Sequence, residues 1–252
     1  MHNNDKDEKQ ASIRASFDVG SGATKLSVAK MNGNAIEELI FQEQTPVLYG
    51  HDHKKRKDGT LSEAILQEGY TVLENYVKLA QSLGASHFAG VATATFRETL
   101  NGPAFLERVK QSLGLSLALV SQEEEAILGF LTCAAVAPTN VPQENIVAWD
   151  SGASSFQLTR CIQAEPPKYE IYSGSLGSSK VTCLLVDTIQ KRDFAVNDSP
   201  NPVQFSEAQS LISLLSMQLN VERPPWFESS HIFSTFCIGG SGLFFFISII
   251  II

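Results

Sequence analysis

Two short stretches of the chain hold the residue types from which a phosphate clamp could be built. Asp18-Val19-Gly20-Ser21-Gly22-Ala23-Thr24-Lys25 and Asp150-Ser151-Gly152-Ala153-Ser154-Ser155-Phe156-Gln157 each follow an apolar run, pass through an aspartate and enter a turn of glycine and small residues. Backbone N–H groups in such a turn can meet phosphate oxygens, and glycine lets an anion come close to the chain. The aspartate can hold a hydrated divalent cation that neutralises the phosphate. Asp18 and Asp150 are thus candidate metal ligands. Gly20, Ser21, Gly22 and Lys25 in the first stretch, with Gly152, Ala153 and Ser154 in the second, are candidate phosphate contacts. A glycine turn after a strand is also the ordinary form of a β-hairpin. Two such turns, each opening one half of the chain, are a more specific signal.

The elements around these turns read as alternating strands and helices. Ile13, Ala15 and Phe17 alternate before Asp18, and Leu26 to Ala29 follow the turn as a second strand. Asn32-Gly33 predicts a hairpin into Ile36–Phe41. The stretch HDHKKRKDG then reads as a loop, and its basic residues read as solvated charge, with contact to a long polyanion as the sharper alternative. A helix is expected from Thr60, with Thr60 and Glu63 as a capping box, to Gly84. A strand over 87–94 leads to a helix capped by Asn101 and stopped by Gly114, and LSLALVS is a further strand. Ser121 caps a helix whose first turn holds Glu123, Glu124 and Glu125. Those acids complement the helix dipole, and Glu124 completes a capping box with Ser121.

The proline-bearing APTNVPQEN is read as the domain boundary. After it the grammar restarts: NIVAWD as a central strand, the second turn, strands near 155–161 and 169–172, helices near 176–190 and 205–219, and the strand HIFSTFCIGG. The expected organisation is a tail over 1–12 without fixed structure, a first domain over 13–137, an incomplete second domain over 145–242, and a low-complexity apolar tail over 243–252.

The chain has 252 residues, 43% hydrophobic and 18% charged, with a formal charge of −8. That size suits two domains with real cores, and the acidic balance argues against a general nucleic-acid binder. Four dispersed cysteines form no metal-ligand spacing and suit a reduced, cytoplasmic setting. The first residues lack an apolar signal region. From Ile232 onward no charge occurs, so a membrane anchor has to be weighed. The GGSG break and the absence of flanking basic residues weigh against it. The segment is read as a buried strand and glycine loop that runs into a shortened end.

With these residues in view, the two turns resemble the paired phosphate motifs of the actin, sugar-kinase and Hsp70 superfamily. ATATFRETLNGPAFLERVKQSLGL (92–115) and LALVSQEEEAILGF (117–130) narrow the resemblance to the exopolyphosphatase and guanosine-pentaphosphate phosphohydrolase family. The resemblance covers most of the chain, from about Phe17 to Leu219. It implies an α/β fold of duplicated actin-like (ribonuclease H-like) domains, with mixed sheets flanked by helices and the second domain truncated. It further implies a magnesium-dependent hydrolase taking terminal phosphate from polyphosphate or a phosphorylated guanosine nucleotide in a cleft between the domains. A second copy of the chain is counted as a further partner.

By the same resemblance Glu125, the glutamate before Ala126, would activate water, with Glu124 its competitor. Arg97 would clamp phosphate, and Gly239 and Gly240 would form a later glycine loop. The chain departs from the family pattern at Gly22, Ala23 and Lys25, where Asn, Ser and Arg are usual, and at Gln157, where Glu is usual. A glutamine orients water but takes no proton from it. The apyrase family carries glutamine there, so Gln157 and Ser155 are assigned to orienting the water. Two alternatives stay open: an apyrase-like nucleotide hydrolase, and a binding or sensing protein that keeps the clamps without turnover.

Overall fold

The computed structural model describes residues 12–33, 35–220, 224, 226 and 234–239. By contact the chain divides into two units, one of residues 1–49 and 61–119, the other of 50–60 and 120–252.

In the first unit, β1 (Ser12–Val19), β2 (Ala23–Asn32), β3 (Ala35–Pro46), β4 (His87–Ala92) and β5 (Leu117–Leu119) form one sheet in the order β3-β2-β1-β4-β5. β1, β2 and β3 pair antiparallel, whereas β4 runs parallel to β1 and β5 parallel to β4. The alternation read in the sequence is realised: Ala15, Phe17 and Val19 of β1 and Leu26 and Val28 of β2 are buried. They pack with Leu66, Leu73, Val77 and Ala80 of α2 (Glu63–Ser82) and Phe105, Leu106 and Val109 of α4 (Gly102–Leu113).

Three local readings change. HDHKKRKDG is not all loop, because α1 (Tyr49–Lys55) carries its first half, with His53, Lys54 and Lys55 in the last turn where cations suit the dipole. α2 is capped by Ser62, whose Oγ accepts from the Ile65 N–H, and not by Thr60. Thr60 is held instead by Asp58, whose Oδ1 accepts from both its N–H and its hydroxyl. Asn101 stands at the N-cap of α4 without a side-chain capping bond; its amide goes elsewhere, as described below.

In the second unit, β6 (Ile146–Ser151), β7 (Phe156–Gln163), β8 (Lys168–Gly174) and β9 (Ser234–Gly239) form a sheet in the order β8-β7-β6-β9. β6–β7 and β7–β8 are antiparallel and β6–β9 parallel, so the pattern repeats the first four strands of the other sheet. The duplication expected from the sequence is present in the topology. β6 is buried on both faces, as a central strand should be. One face packs Ile146, Ala148 and Cys161 against Phe130 and Cys133 of α5 (Gln122–Val136). The opposite face packs Val147, Trp149, Phe156, Leu158 and Tyr172 with Leu219 and Trp226. α6 (Ser178–Cys183) runs on into a π-helical stretch, Leu184–Ile189, and α7 (Phe205–Asn220) packs on it through Leu211 and Leu215.

The contact boundary lies between Leu119 and Val120, earlier than the proline-bearing stretch, because α5 packs on β6, β7 and β8. Residues 1–11 and 240–252, including Gly240 and the apolar tail, lie outside the described residues. Among the described residues no helix is long and apolar enough to cross a membrane.

Candidate active site

In the first unit the turn after Asp18 is closed by the Gly20 N–H donating to the Ala23 carbonyl at 2.9 Å. The β1–β2 register places Asp18 opposite Lys25, and Lys25 Nζ lies 2.8 Å from Asp18 Oδ2. The candidate metal ligand and the candidate phosphate contact are therefore tied to each other, both partly exposed. β4 ends beside Asp18, with Val91 level with it. The chain then turns into α3 (Ala94–Glu98), which carries Arg97, half-buried, in its last turn. The Thr95 N–H donates to the Ser21 Oγ at 3.3 Å and joins this corner to the glycine turn. Asp18, Gly20, Ser21, Gly22, Lys25 and Arg97 thus gather at one end of one sheet.

The corner has a brace that the sequence did not disclose. Asn101 Oδ1 accepts from the Leu61 N–H at 2.9 Å, and Asn101 Nδ2 donates to the Leu61 carbonyl at 2.8 Å. The side chain mimics a strand partner for buried Leu61 and pins the Arg97 corner to the approach of α2. Spacing alone reads Asn101 as an ordinary N-cap, and only the fold brings Leu61 within its reach.

In the second unit the same register logic places Gln157 opposite Asp150. Ile238 and Gly239 of β9 lie level with Asp150 and Ser151 on the other side, so the described part of the glycine loop reaches the second turn. The turn is closed by the Gly152 N–H donating to the Ser155 carbonyl at 2.9 Å. Gln157 is almost wholly buried, and its Nε2 donates to the Ser155 Oγ at 3.3 Å.

The α5-covered face changes character along its length. Ile146, Ala148 and Cys161 are apolar, but towards the turn stand Thr159, Gln157 and Asp150. Thr159 is buried, and among the described residues its hydroxyl has no hydrogen-bond partner. A buried polar strip of this kind is costly unless water or a ligand completes it. α5 packs on this face through Phe130 and Cys133, and the Phe130 ring meets Tyr169 of β8 edge-on at 5.4 Å. Its first turn carries Glu123, Glu124 and Glu125.

In that turn the two competing glutamates separate. Glu124 accepts from the Ser121 N–H at 2.7 Å while its own N–H donates to the Ser121 Oγ, completing the expected capping box. These bonds hold its carboxyl below the usual glutamate range. Glu125, the next residue, is half-buried beside buried Ala126. Among the described residues no group of three or more His, Cys, Asp or Glu forms a ligand cage. The single carboxylates at Asp18 and Asp150 fit a hydrated magnesium that takes its remaining ligands from water and substrate.

The basic residues of α1 and the following loop are answered locally. Lys55 pairs with Asp198, Arg56 with Asp58, and Lys57 lies 3.9 Å from Asp193. That pattern favours solvated, paired charge over a polyanion track.

Comparison with known proteins identifies the family and the fold. Residues 28–198 match the model of the Ppx/GppA phosphatase family. A stretch of 115 residues, 45% of the chain, is 27% identical to the guanosine-5'-triphosphate,3'-diphosphate pyrophosphatase of Vibrio vulnificus and spans 22% of that relative. Among solved structures, the Aquifex aeolicus Ppx/GppA family member is similar with a TM-score of 0.65 at 22% identity, over 92% of this chain and 67% of that one. An exopolyphosphatase from Cytophaga hutchinsonii gives a TM-score of 0.63 at 16% identity, over 92% and 68%. The fold is accordingly the actin-like α/β fold that the two turns suggested.

Proposed function

The chain belongs to the Ppx/GppA phosphatase family, and from that premise we propose that it is a phosphoanhydride hydrolase releasing terminal phosphate from inorganic polyphosphate or a guanosine 5'-triphosphate 3'-diphosphate. The two substrate classes are those named for its relatives in Vibrio vulnificus and Cytophaga hutchinsonii. Support for the reading comes from Glu125 standing in the first turn of α5, the helix that covers the sheet face of Thr159, Gln157 and Asp150, while Glu124 is tied into the cap.

In this proposal Glu125 takes the proton from the attacking water. The Gln157 amide and Ser155 hydroxyl orient that water, and the N–H groups of Ala153, Ser154 and Ser155 bind the phosphoryl oxygens. In the first unit Ser21, the other small residues of the 18–25 turn and the guanidinium of Arg97 are the proposed contacts to phosphate. Asp18 there and Asp150 in the second unit are each a proposed ligand for magnesium, which would supply neutralisation of phosphate charge.

The test is phosphate release from tripolyphosphate and from the guanosine nucleotide with magnesium present. Glu125→Gln is expected to lower the rate by about 1,000-fold, whereas Glu124→Gln stays within threefold of the unsubstituted protein, roughly the scale of a helix-cap change away from the reacting atoms. Equal rates for the Glu125 variant and the unsubstituted protein would remove Glu125 from the mechanism.

A further inference from the structure

We infer that the first turn of α6, headed by Gly177, is a buttress that aims the 152–155 turn, and that Gly177, Ser178 and Ser179 are positioning residues acting through their backbone. The inference rests on the reading of 152–155 as a phosphate turn.

Three successive N–H groups at the start of α6 donate to three successive carbonyls of the turn. The Gly177 N–H reaches the Ser154 carbonyl at 3.2 Å, the Ser178 N–H the Gly152 carbonyl at 3.1 Å, and the Ser179 N–H the Ala153 carbonyl at 2.8 Å. In a planar trans peptide the carbonyl and the following N–H point in opposite directions. Fixing the carbonyls of 152, 153 and 154 towards α6 therefore turns the N–H groups of Ala153, Ser154 and Ser155 away from it, to one side. Consecutive N–H groups aimed together are what an anion requires of a turn. The donors of α6 do not themselves meet the ligand; they hold the peptide units that do.

Gly177 makes this contact sterically feasible. Its backbone, at φ −78° and ψ 171°, is one that any residue adopts, so glycine is not demanded by conformation. Space demands it. A Cβ there would stand 2.4 Å from the Ala153 carbonyl carbon, 2.4 Å from the Ser154 nitrogen and 2.5 Å from the Ala153 oxygen. All three are backbone atoms of the turn, so relief requires the turn to move by about 1 Å, a displacement that can cost about 100-fold in a site that depends on alignment. Gly114 is the opposite case, with φ +67° and nothing within 4 Å of a Cβ. Alanine there strains the chain locally and touches no part of the site.

The experiment measures tripolyphosphate binding to the full chain by calorimetry with magnesium present, alongside thermal unfolding. The stoichiometry reports the folded fraction and the Kd reports the site, so lost affinity is separable from lost fold. Gly177→Ala is expected to weaken binding by about 100-fold per folded molecule and to raise KM far more than it lowers kcat. Ser178→Pro tests the bond directly. Proline is tolerated at a first helical position, and Gly177 already has the extended ψ that a following proline favours. The substitution deletes the N–H to Gly152 and puts a ring carbon in its place, so affinity should again fall. Gly114→Ala should lower the unfolding midpoint and leave the Kd unchanged. Wild-type affinity in both Gly177→Ala and Ser178→Pro would overturn the buttress alone. Failure of the unsubstituted chain to bind tripolyphosphate would overturn the phosphate reading of the turn and this role with it.

Discussion

The turn after Asp18 and the turn after Asp150 sit at the same place in two sheets of the same strand order, yet they are held in different ways. In the first unit the fastenings are side chains: Lys25 on Asp18, the Ser21 hydroxyl beneath the Thr95 N–H, and the Asn101 amide on Leu61. In the second, beside the Gln157–Ser155 side-chain bond, α6 adds three main-chain bonds to the turn carbonyls. The ladder position opposite the aspartate carries a cation in one case and a buried neutral amide in the other. The difference teaches that a repeated motif fixes where a carboxylate sits and leaves open what that carboxylate answers to. Asp18 already has a counter-charge at 2.8 Å, so a metal there competes with Lys25. Asp150 stands opposite Gln157 in the ladder, a neutral residue at that position.

The sharpest way to break this comparison is to neutralise the two aspartates in turn. Asp150→Asn is expected to lower phosphate release by about 100-fold, the scale of losing one preorganised electrostatic contact. It should also raise the magnesium concentration needed for half-maximal rate. Asp18→Asn should cost less than about tenfold, since it also releases the Lys25 cation towards the phosphate. Magnesium titrations of both variants decide the matter. Equal losses would mean that the Lys25 pair does not distinguish the two turns.

The two turns, the strands that flank them and the α5 capping box were legible because each depends on local chemistry: an aspartate before small residues, period-two alternation, a serine three residues before a glutamate. What escaped depends on contact between distant segments. Thr60 carries the chemistry of a cap, but Asp58 two residues earlier captures it, so Ser62 takes the role. Asn101 reads as a cap until Leu61 is seen beside it. Gly177 lies in a run of small residues, SGSLGSS, whose composition signals a turn and whose purpose emerges only from the 2.4 Å approach to Ala153. The basic run 53–57 showed its charge in the sequence and concealed its partners, because Asp193 and Asp198 come from the far half of the chain.

A smaller effect sharpens the contrast between side-chain and main-chain fastening. Asn101→Ala removes both bonds to Leu61, which is 2% exposed, and leaves a buried N–H and C=O without partners. The expected loss is about 2 kcal/mol of stability, measured by urea unfolding. Asn101→Asp as a carboxylate keeps the acceptor for the Leu61 N–H and loses the donor, so it should fall between alanine and the unsubstituted protein at neutral pH, and it should come closer to the unsubstituted protein at low pH, where the protonated carboxyl offers an O–H to the Leu61 carbonyl. An Asn101→Ala protein of unchanged stability would show that the first unit does not rely on this side chain.

The smallest effect concerns the segment 50–60, which lies in the sequence between elements of the first unit but belongs by contact to the second. Lys55 pairs with Asp198, and His51 Nε2 lies 2.7 Å from the same carboxylate while its ring meets Phe194 edge-on at 5.1 Å. Lys55 first, then His51, pull the Asp198 carboxyl from its ordinary 3.8 to about 2. A carboxyl whose folded value is depressed adds stability above the unfolded value and loses it as pH falls through the folded one. The contribution is therefore complete at neutral pH and disappears between about pH 4 and pH 2, the span that separates the two values. Because the pair is more than a third exposed, solvent screening limits it to about 0.5–1 kcal/mol. Asp198→Asn should show that deficit in urea at pH 7, and the gap to the unsubstituted protein should close as the pH is lowered towards 2. A gap that persists undiminished at the acid end would mean that the segment is held by the Phe194 contact and not by the charge.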